Sequence, residues 1–470
     1  MAIKKALELG RIVLRQTIPK HKGLTMRETR TAQASIFDFY SKHERSEFFQ
    51  NLSEKLDQHP ELLSLIEDDL LTQGAQPTGR RGLSVESIFR CLLLKQIIGV
   101  SYEQLSFLLT DSQSYRTFAR LDLDCHPGKS ALCTNIRRVR PQTLQAVFES
   151  LTLSTFNEGV MDPELTRLDS TVVKSHIAPP SDSQLLDDGI RVLSRLFAQS
   201  RGRTGVKLRL VDYRTRSRKL AGAIFYGKKA EKDRLYEELI PLARRVVDQS
   251  HRAIEQVQSK GHAIDSQPWI DAIVHYRHML ERVIDQTERR VLKGQRVPAA
   301  EKIVSLFEPH TDIIVKGNRD IDYGHKVNLS TDHSGFITAF MIEEGNPKDS
   351  ERFIPLLEEH ERLYGCVPMT TIADGCYASH HNVDMAKEMG VKRVAFHKKA
   401  GITLSQMGIK AKTLKKLRDF RAGIEGNISQ LKRAFGGGKA LWKGENGFTA
   451  YVWASVICYN LTRWVRLDSG

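Results

Sequence analysis

The stretch Arg418–Phe435, RDFRAGIEGNISQLKRAF, carries two helical stripes at once. Ile424, Ile428, Leu431 and Phe435 recur at i, i+4, i+7 and i+11, an apolar seam suited to packing on a sheet. Arg421, Glu425 and Lys432 repeat the same spacing on a second stripe, roughly 100° round the helix by the rotation per residue. A carboxylate between two cations on one helix face is ordinarily a solvated salt-bridge ladder. It becomes a site only if acids from elsewhere in the chain converge on it.

Two candidates stand upstream. In Leu165–Ile177, LTRLDSTVVKSHI, β-branched residues flank Asp169, and the segment reads as a strand. Met369–Ala373 reads as a buried strand that delivers Asp374 at its end, followed by Gly375. Around them, Ile313–Val315 and Lys326–Leu329 are short strands. Phe336–Ile342 closes a hairpin through Asp332-His333-Ser334-Gly335. Ser350–Leu363 is a helix, Ala386–Met389 belongs to another, and Val391–Phe396 is the next strand. An interruption of about 130 residues follows the first strand, which is tolerable where its ends leave a loop together. With it set aside, the order is ribonuclease-H-like: an α/β fold with a mixed sheet flanked by helices.

Three carboxylates in one place would repel one another, so a purely structural cluster is costly. Divalent metal chemistry gives such a cluster a purpose. Two Mg²⁺ ions about 3.5–4 Å apart stabilise both the attacking and the leaving oxygen of a phosphodiester displacement. Mg²⁺ takes oxygen ligands and keeps several waters, so no Cys or His is required.

The motifs LDST with Asp169, ADGCYAS with Asp374 and FRAGIEGNISQLKRAF with Glu425 resemble, in order, the three acid motifs of DDE transposases from bacterial insertion sequences. The resemblance is nearest to the ISNCY group. The family's third-acid helix has the form Tyr-x2-Arg-x3-Glu-x6-Lys, and here Arg418 replaces the Tyr. HTDIIVKGNRDIDYGHKVNLSTDHSGFITAF is similar to the family's strands before the second acid, and GRRGLSVESIFRCLLLKQIIGVSYEQLSFLLTDSQSYRTFA to its N-terminal helical region, associated with binding terminal inverted repeats. The resemblance implies that Asp169, Asp374 and Glu425 are catalytic and ligate Mg²⁺, with Mn²⁺ able to substitute, and that Arg421 and Lys432 contact DNA near the cut. Arg418 would add a phosphate contact on roughly the same face. By charge alone, Arg421 and Lys432 could equally be ion-pair partners tuning Glu425. The implied activity is cleavage of element ends and their transfer to target double-stranded DNA, by at least a homodimer. The readings beside it are a nuclease without strand transfer and a DNA-binding protein with an inactive catalytic domain.

Composition agrees with a polyanion partner: the net charge is +15 and the pI about 9.5. The six cysteines form no CxxC pair and fit reduced thiols in the cytoplasm. The N-terminus lacks the apolar core of a signal peptide, and Phe448–Val465, interrupted by Asn460 and Arg463, reads as a buried helix rather than a membrane span. A cytoplasmic, chromosome-associated protein is therefore expected.

The chain divides on this reading into a helical DNA-binding region over 1–157, a catalytic domain over 163–180 and 309–467, and a basic, helical insertion over 181–308. Residues 1–80 read as helical and polar, with Arg27, Arg30, Lys42 and Arg45 among apolar positions, and Gly74–Gly82 as flexible punctuation. Within 83–119, a helix capped by Ser84 and ended by Gly99 precedes one that Ser101 and Gln104 begin as a capping box, the pattern of a helix-turn-helix. In the insertion, Arg191–Lys219 holds ten Lys or Arg against one acid, Asp212. Leu235, Leu239, Leu242 and Val246, then Trp269, Ile273, Tyr276, Leu280 and Val283, predict a helical hairpin broken at Gly261 and Pro268. His325, His333, His380, His381 and His397 read as polar residues at the surface rather than ligands, Gly436–Lys439 as a flexible turn without Walker spacing, and Trp442 as an anchor of that turn more than a base-stacking platform.

Overall fold

A computed structural model describes residues 40–71, 82–122, 124–260, 263–316, 320–397 and 401–468. The readings made on 1–39, on most of Gly74–Gly82 and on Gly261 lie outside those residues. The chain forms two compact units, one from residues 1–174 and 326–470 and the other from Ser175–His325.

The first unit holds the ribonuclease-H-like sheet. Strand β1 (Leu165–Lys174) lies between β3 (Asp320–Thr331), whose second half belongs to this unit, and β5 (Thr370–Asp374), which neighbours β6 (Arg393–His397). β4 (Ile337–Ile342) pairs antiparallel with Val327–Thr331, completing the expected hairpin. The β1–β5 and β5–β6 pairs are parallel. Alternation along the strands sorts the two faces. Leu168, Ala373, Val394 and Phe396 pack with Phe353, Leu356 and Leu357 of helix α12 (Phe353–Tyr364) on one face. Ile372 and Ala395 pack with Leu417 of α15 (Ala411–Ala434) on the other. The quoted stretch is thus the larger part of α15, which begins seven residues earlier than the charge and apolar stripes alone define. Its apolar seam is buried as expected at Ile424, Leu431 and, just past the helix, Phe435, with Ile428 half-buried.

The helices before β1 share a core with the last helix, α16 (Glu445–Asp468), which is buried along Phe448–Val465 except for half-exposed Thr449 and Arg463. Both expected helices and the turn between them are present: α3 (Val85–Ile98) ends at Gly99 in the left-handed conformation, and α4 (Tyr102–Asp111) starts with both capping-box bonds between Ser101 and Gln104. α3 is buried from Val85 to Gln96, and Gln96 Nε2 donates to the Phe435 carbonyl at 2.7 Å and to Ser455 Oγ at 2.8 Å. The exposed residues of α4 include Glu103 and Asp111 and no cation. Nearby positive charge sits on Lys129, whose Nζ lies 3.3 Å from Glu103, and on Arg137 and Arg138, and Arg137 Nη2 donates to the Lys443 carbonyl at 3.1 Å. No helix among the described residues is long and apolar enough to cross a membrane.

The second unit packs α8 (Asp182–Thr204), α9 (Arg214–Tyr226), α10 (Lys229–Lys260) and α11 (Ala263–Thr287) around one apolar core, so the hairpin periodicity holds. Pro268 lies inside α11 rather than at its border. Tertiary packing overrides its helix-breaking tendency: the neighbouring Trp269 is buried and its indole N–H donates to the Leu196 carbonyl at 2.9 Å. β2 (Asp312–Lys316) pairs antiparallel with the first half of β3. His325, expected at the surface, is 7% exposed. Its Nδ1 lies 3.1 Å from Asp312 and its Nε2 2.9 Å from His310, which meets Glu308 at 3.0 Å.

Beneath the sheet, His360 of α12 is 2% exposed, and burial pushes its pKa down to about 3. The folded state holds the imidazole neutral while the unfolded chain takes up a proton below about 6.5. Stability at neutral pH is therefore lost as pH falls from about 6.5 towards 3, with a slope of at most about 1.4 kcal/mol per pH unit from this group. Urea unfolding at pH 7 and pH 5 is expected to show this slope in the wild type and a shallower one in His360→Leu.

Candidate active site

The parallel register brings the first two acids together. Leu168 of β1 stands opposite Ala373 of β5, so Asp169 and Asp374 are the next residues along neighbouring strands. Parallel strands lie about 4.8 Å apart. Both acids are one step from residues packed on the α12 face, so both project to the face covered by α15. β5 ends at Asp374, and a short turn over Gly375–Tyr377 follows. Asn382 fixes this turn by donating to the Tyr377 carbonyl at 2.7 Å. The Tyr377 hydroxyl, buried, donates to Asn328 Oδ1 at 2.7 Å, and burial raises its pKa well above the usual value.

Glu425 arrives on α15, and one side chain joins it to the two aspartates. Arg421 Nη2 lies 3.4 Å from Asp169 Oδ2 and 3.6 Å from Asp374 Oδ1, while Nη1 lies 3.7 Å from Glu425 Oε1. The charged stripe of the quoted sequence is therefore not a free-standing ladder: its first cation faces carboxylates from two strands. Exposure is graded. The side chains of Arg421 and Asp169 are 12% and 19% exposed, Asp374 37%, and Glu425 73%. The arrangement is a shallow acidic site whose floor is the sheet and whose open side is the helix. Arg418 is exposed one turn before Arg421, and Lys432 is half-buried two turns beyond Glu425, beside Gly438. The ion pairs that gather the acids run through Arg421.

A second arginine, missed in the sequence, sets the height of α15 above the sheet. Arg167 is two residues before Asp169 and on the same strand face. It is 6% exposed, and its Nε donates to Thr331 Oγ1 at 2.9 Å, Nη2 to Asn427 Oδ1 at 2.7 Å, and Nη1 to the Phe420 carbonyl. Its guanidinium also stacks over the Phe420 ring at 4.6 Å. Burial lowers its pKa, opposed by Asp332. Asn427 Nδ2 donates in turn to the Tyr459 hydroxyl at 2.7 Å, and that hydroxyl donates to the Gly335 carbonyl at 2.8 Å. Gly335 has φ +82, and a Cβ there would come within 2.7 Å of Asn427 and 2.6 Å of Arg463. The signal for Arg167 was an arginine in the interior of a strand, between Thr166 and Leu168, where a buried charge needs a partner.

The turn after α15 closes the site's far end. Lys174 N–H donates to the Gly438 carbonyl at 3.1 Å, and Ala440 N–H donates to the Lys174 carbonyl at 2.8 Å. The Gly436–Lys439 turn is thus tied to the end of β1. Trp442 is buried and packs edge-on against Tyr451 at 5.7 Å, which makes it the anchor of the turn.

Carboxylates alone make up the acid set. Among the described residues no group of three or more His, Cys, Asp or Glu side chains is placed so as to hold a metal ion. The three acids' oxygens lie around a guanidinium, and carboxylate oxygen is the ligand type that a hard divalent cation takes.

Two family models match separate parts of the chain. Residues 315–461 match one described as "Transposase DDE domain", and residues 37–138 match one described as "Transposase domain (DUF772)". Together they support a DDE transposase of an insertion sequence. No curated protein and no solved structure matches. β1 with Asp169 lies between the two matched stretches, so its place beside Asp374 is known from the fold alone.

A Cβ at Gly423 would fall 2.2 Å from Arg167 Nη1. Gly423→Ala is therefore expected to lower unfolding stability by about 1–3 kcal/mol through forced displacement of the guanidinium or the helix. Denaturant unfolding checks it, and an unchanged midpoint would show that α15 is not seated by this contact.

Proposed function

We propose that this protein is the transposase of a bacterial insertion sequence resembling the ISNCY group, which binds element-end DNA, cleaves it at the 3′ ends and joins those ends to target DNA. The observation that carries this reading is the meeting of Asp169, Asp374 and Glu425, from two parallel strands and a crossing helix, around one cation on one face of a ribonuclease-H-like sheet. The two transposase-domain matches support the same class of activity.

On this reading Asp169, Asp374 and Glu425 are the catalytic residues and hold Mg²⁺, or Mn²⁺ in its place. When bound, the metal supplies charge stabilisation for the attacking and leaving oxygens of the phosphodiester. The chain's own residues do the positioning. The β1–β5 register fixes two carboxylates side by side. Arg167 and Asn427 hold the third over them, and its exposure leaves room for a DNA backbone. Arg418 and Lys432 flank it as phosphate contacts. Arg137, Arg138 and Lys443 extend the positive surface for double-stranded DNA, in keeping with the +15 charge. Joining two element ends calls for two active sites, hence a homodimer or higher assembly on DNA.

Cleavage of element-end duplex with Mg²⁺ is expected to fall by more than about a hundredfold in Asp169→Asn, Asp374→Asn and Glu425→Gln, since even outer-shell partners of a metal are worth about 10–100-fold. Retained cleavage in any one removes that residue from the role. Pre-cut ends should be joined to a target duplex by the wild type. Cutting without joining would identify a nuclease, and binding without either a DNA-binding protein with an inactive catalytic domain.

A further inference from the structure

Arg421 is held in an unusual way for an arginine at a carboxylate. A guanidinium ordinarily settles on one partner in a bidentate pair with N–O distances of about 2.7–2.9 Å. Here the distances to Asp169, Asp374 and Glu425 are 3.4, 3.6 and 3.7 Å, so the group serves three acids, with one long hydrogen bond to Asp169 and a bidentate pair with none. Its Nε is buried without a hydrogen-bond partner. The side chain is 12% exposed, so water does little of the work. Charge, with one long hydrogen bond to Asp169, keeps it in place.

Two things follow from that position. The guanidinium offsets the mutual repulsion of acids that the sheet register forces together. It also lies against one oxygen of each acid, and as they stand around it the three are not placed to hold a metal ion. A dipositive ion and a guanidinium cannot share those oxygens without strong like-charge repulsion.

We propose that Arg421 is an internal counter-ion that occupies the acid site of the free protein and must be displaced for a divalent metal to load. This rests on the metal-binding reading of the three acids and adds a regulation to it: metal affinity in the absence of DNA is held down by the chain's own cation. Once displaced, the guanidinium is a free charge on a long stem beside the acids, placed to meet a phosphate. The two sequence readings of Arg421, ion-pair partner and DNA contact, then describe the same residue before and after loading.

The test is Mn²⁺ binding to the full-length protein without DNA, read from the loss of the free-ion electron paramagnetic resonance signal. Arg421→Gln keeps a polar side chain and removes the charge. It is expected to bind Mn²⁺ about tenfold more tightly than the wild type, within the usual range for coupled sites. Arg421→Lys keeps the charge on a compact head that cannot span three acids, and is expected to fall between the two. It also covers the case in which Arg421→Gln fails to fold from unrelieved repulsion. Asp169→Asn in the Arg421→Gln background should abolish the gain. Equal or weaker Mn²⁺ binding in both Arg421 variants overturns the counter-ion role, and if Mg²⁺-dependent cleavage persists the proposed function stands without it. Absence of Mn²⁺ binding in every variant overturns the counter-ion role, while the cleavage and joining assays decide the proposed function by themselves.

Discussion

Arg167 is a nearly buried cation, and a charge that deep survives only where its donors find partners. Its three nitrogens reach a strand hydroxyl, a helix carbonyl and a helix amide, and its flat face covers Phe420. No apolar contact could fix α15 with the same directional precision. A hydrophobic seam allows a helix to slide or roll by a fraction of a turn, whereas three hydrogen bonds from a planar group do not. Everything at the acid site inherits that constraint. Glu425 lies between Gly423, which lets the guanidinium approach, and Asn427, which receives it.

The same junction reaches further than the helix it seats. Asn427 passes its second hydrogen bond to Tyr459, and Tyr459 passes its own to the turn between β3 and β4. One polar chain therefore links the central strand, the acid helix, the last helix and the hairpin. Such a network is costly if any member is unsatisfied, which is why it specifies a single arrangement. The last helix in turn shares its core with the N-terminal helices. The helix pair over 85–111 is consequently part of the scaffold of the site. Its first helix is buried, and its second shows acids to solvent, so charge complementarity favours the arginines near 137 and the turn at 443 for a nucleic acid.

Two arginines divide the electrostatic work. Arg167 has a hydrogen-bond acceptor on each of its three nitrogens and is structural. Arg421, the residue after the carbonyl that Arg167 holds, has a buried Nε without a partner and faces the acids. The contrast between a cation fixed by geometry and one held by charge is the difference between a strut and a movable counter-ion.

Much of this was legible in the chain itself. The period of Ile424, Ile428, Leu431 and Phe435 called for a helix on a sheet. β-branched residues around Asp169 and the buried run ending at Asp374 called for strands, and the capping residues at 84, 99, 101 and 104 marked their helices correctly. These signals are local: each depends on backbone preference or side-chain periodicity within a few residues. The position of Pro268 inside a helix, the burial of His325 and the role of Arg167 depend on residues far away in sequence, and no local pattern encodes them. Only the tertiary structure decided that Asp169 and Asp374 stand side by side, because a parallel register is set by the packing of whole strands and helices. That register placed two like charges together and made Arg421 their common partner.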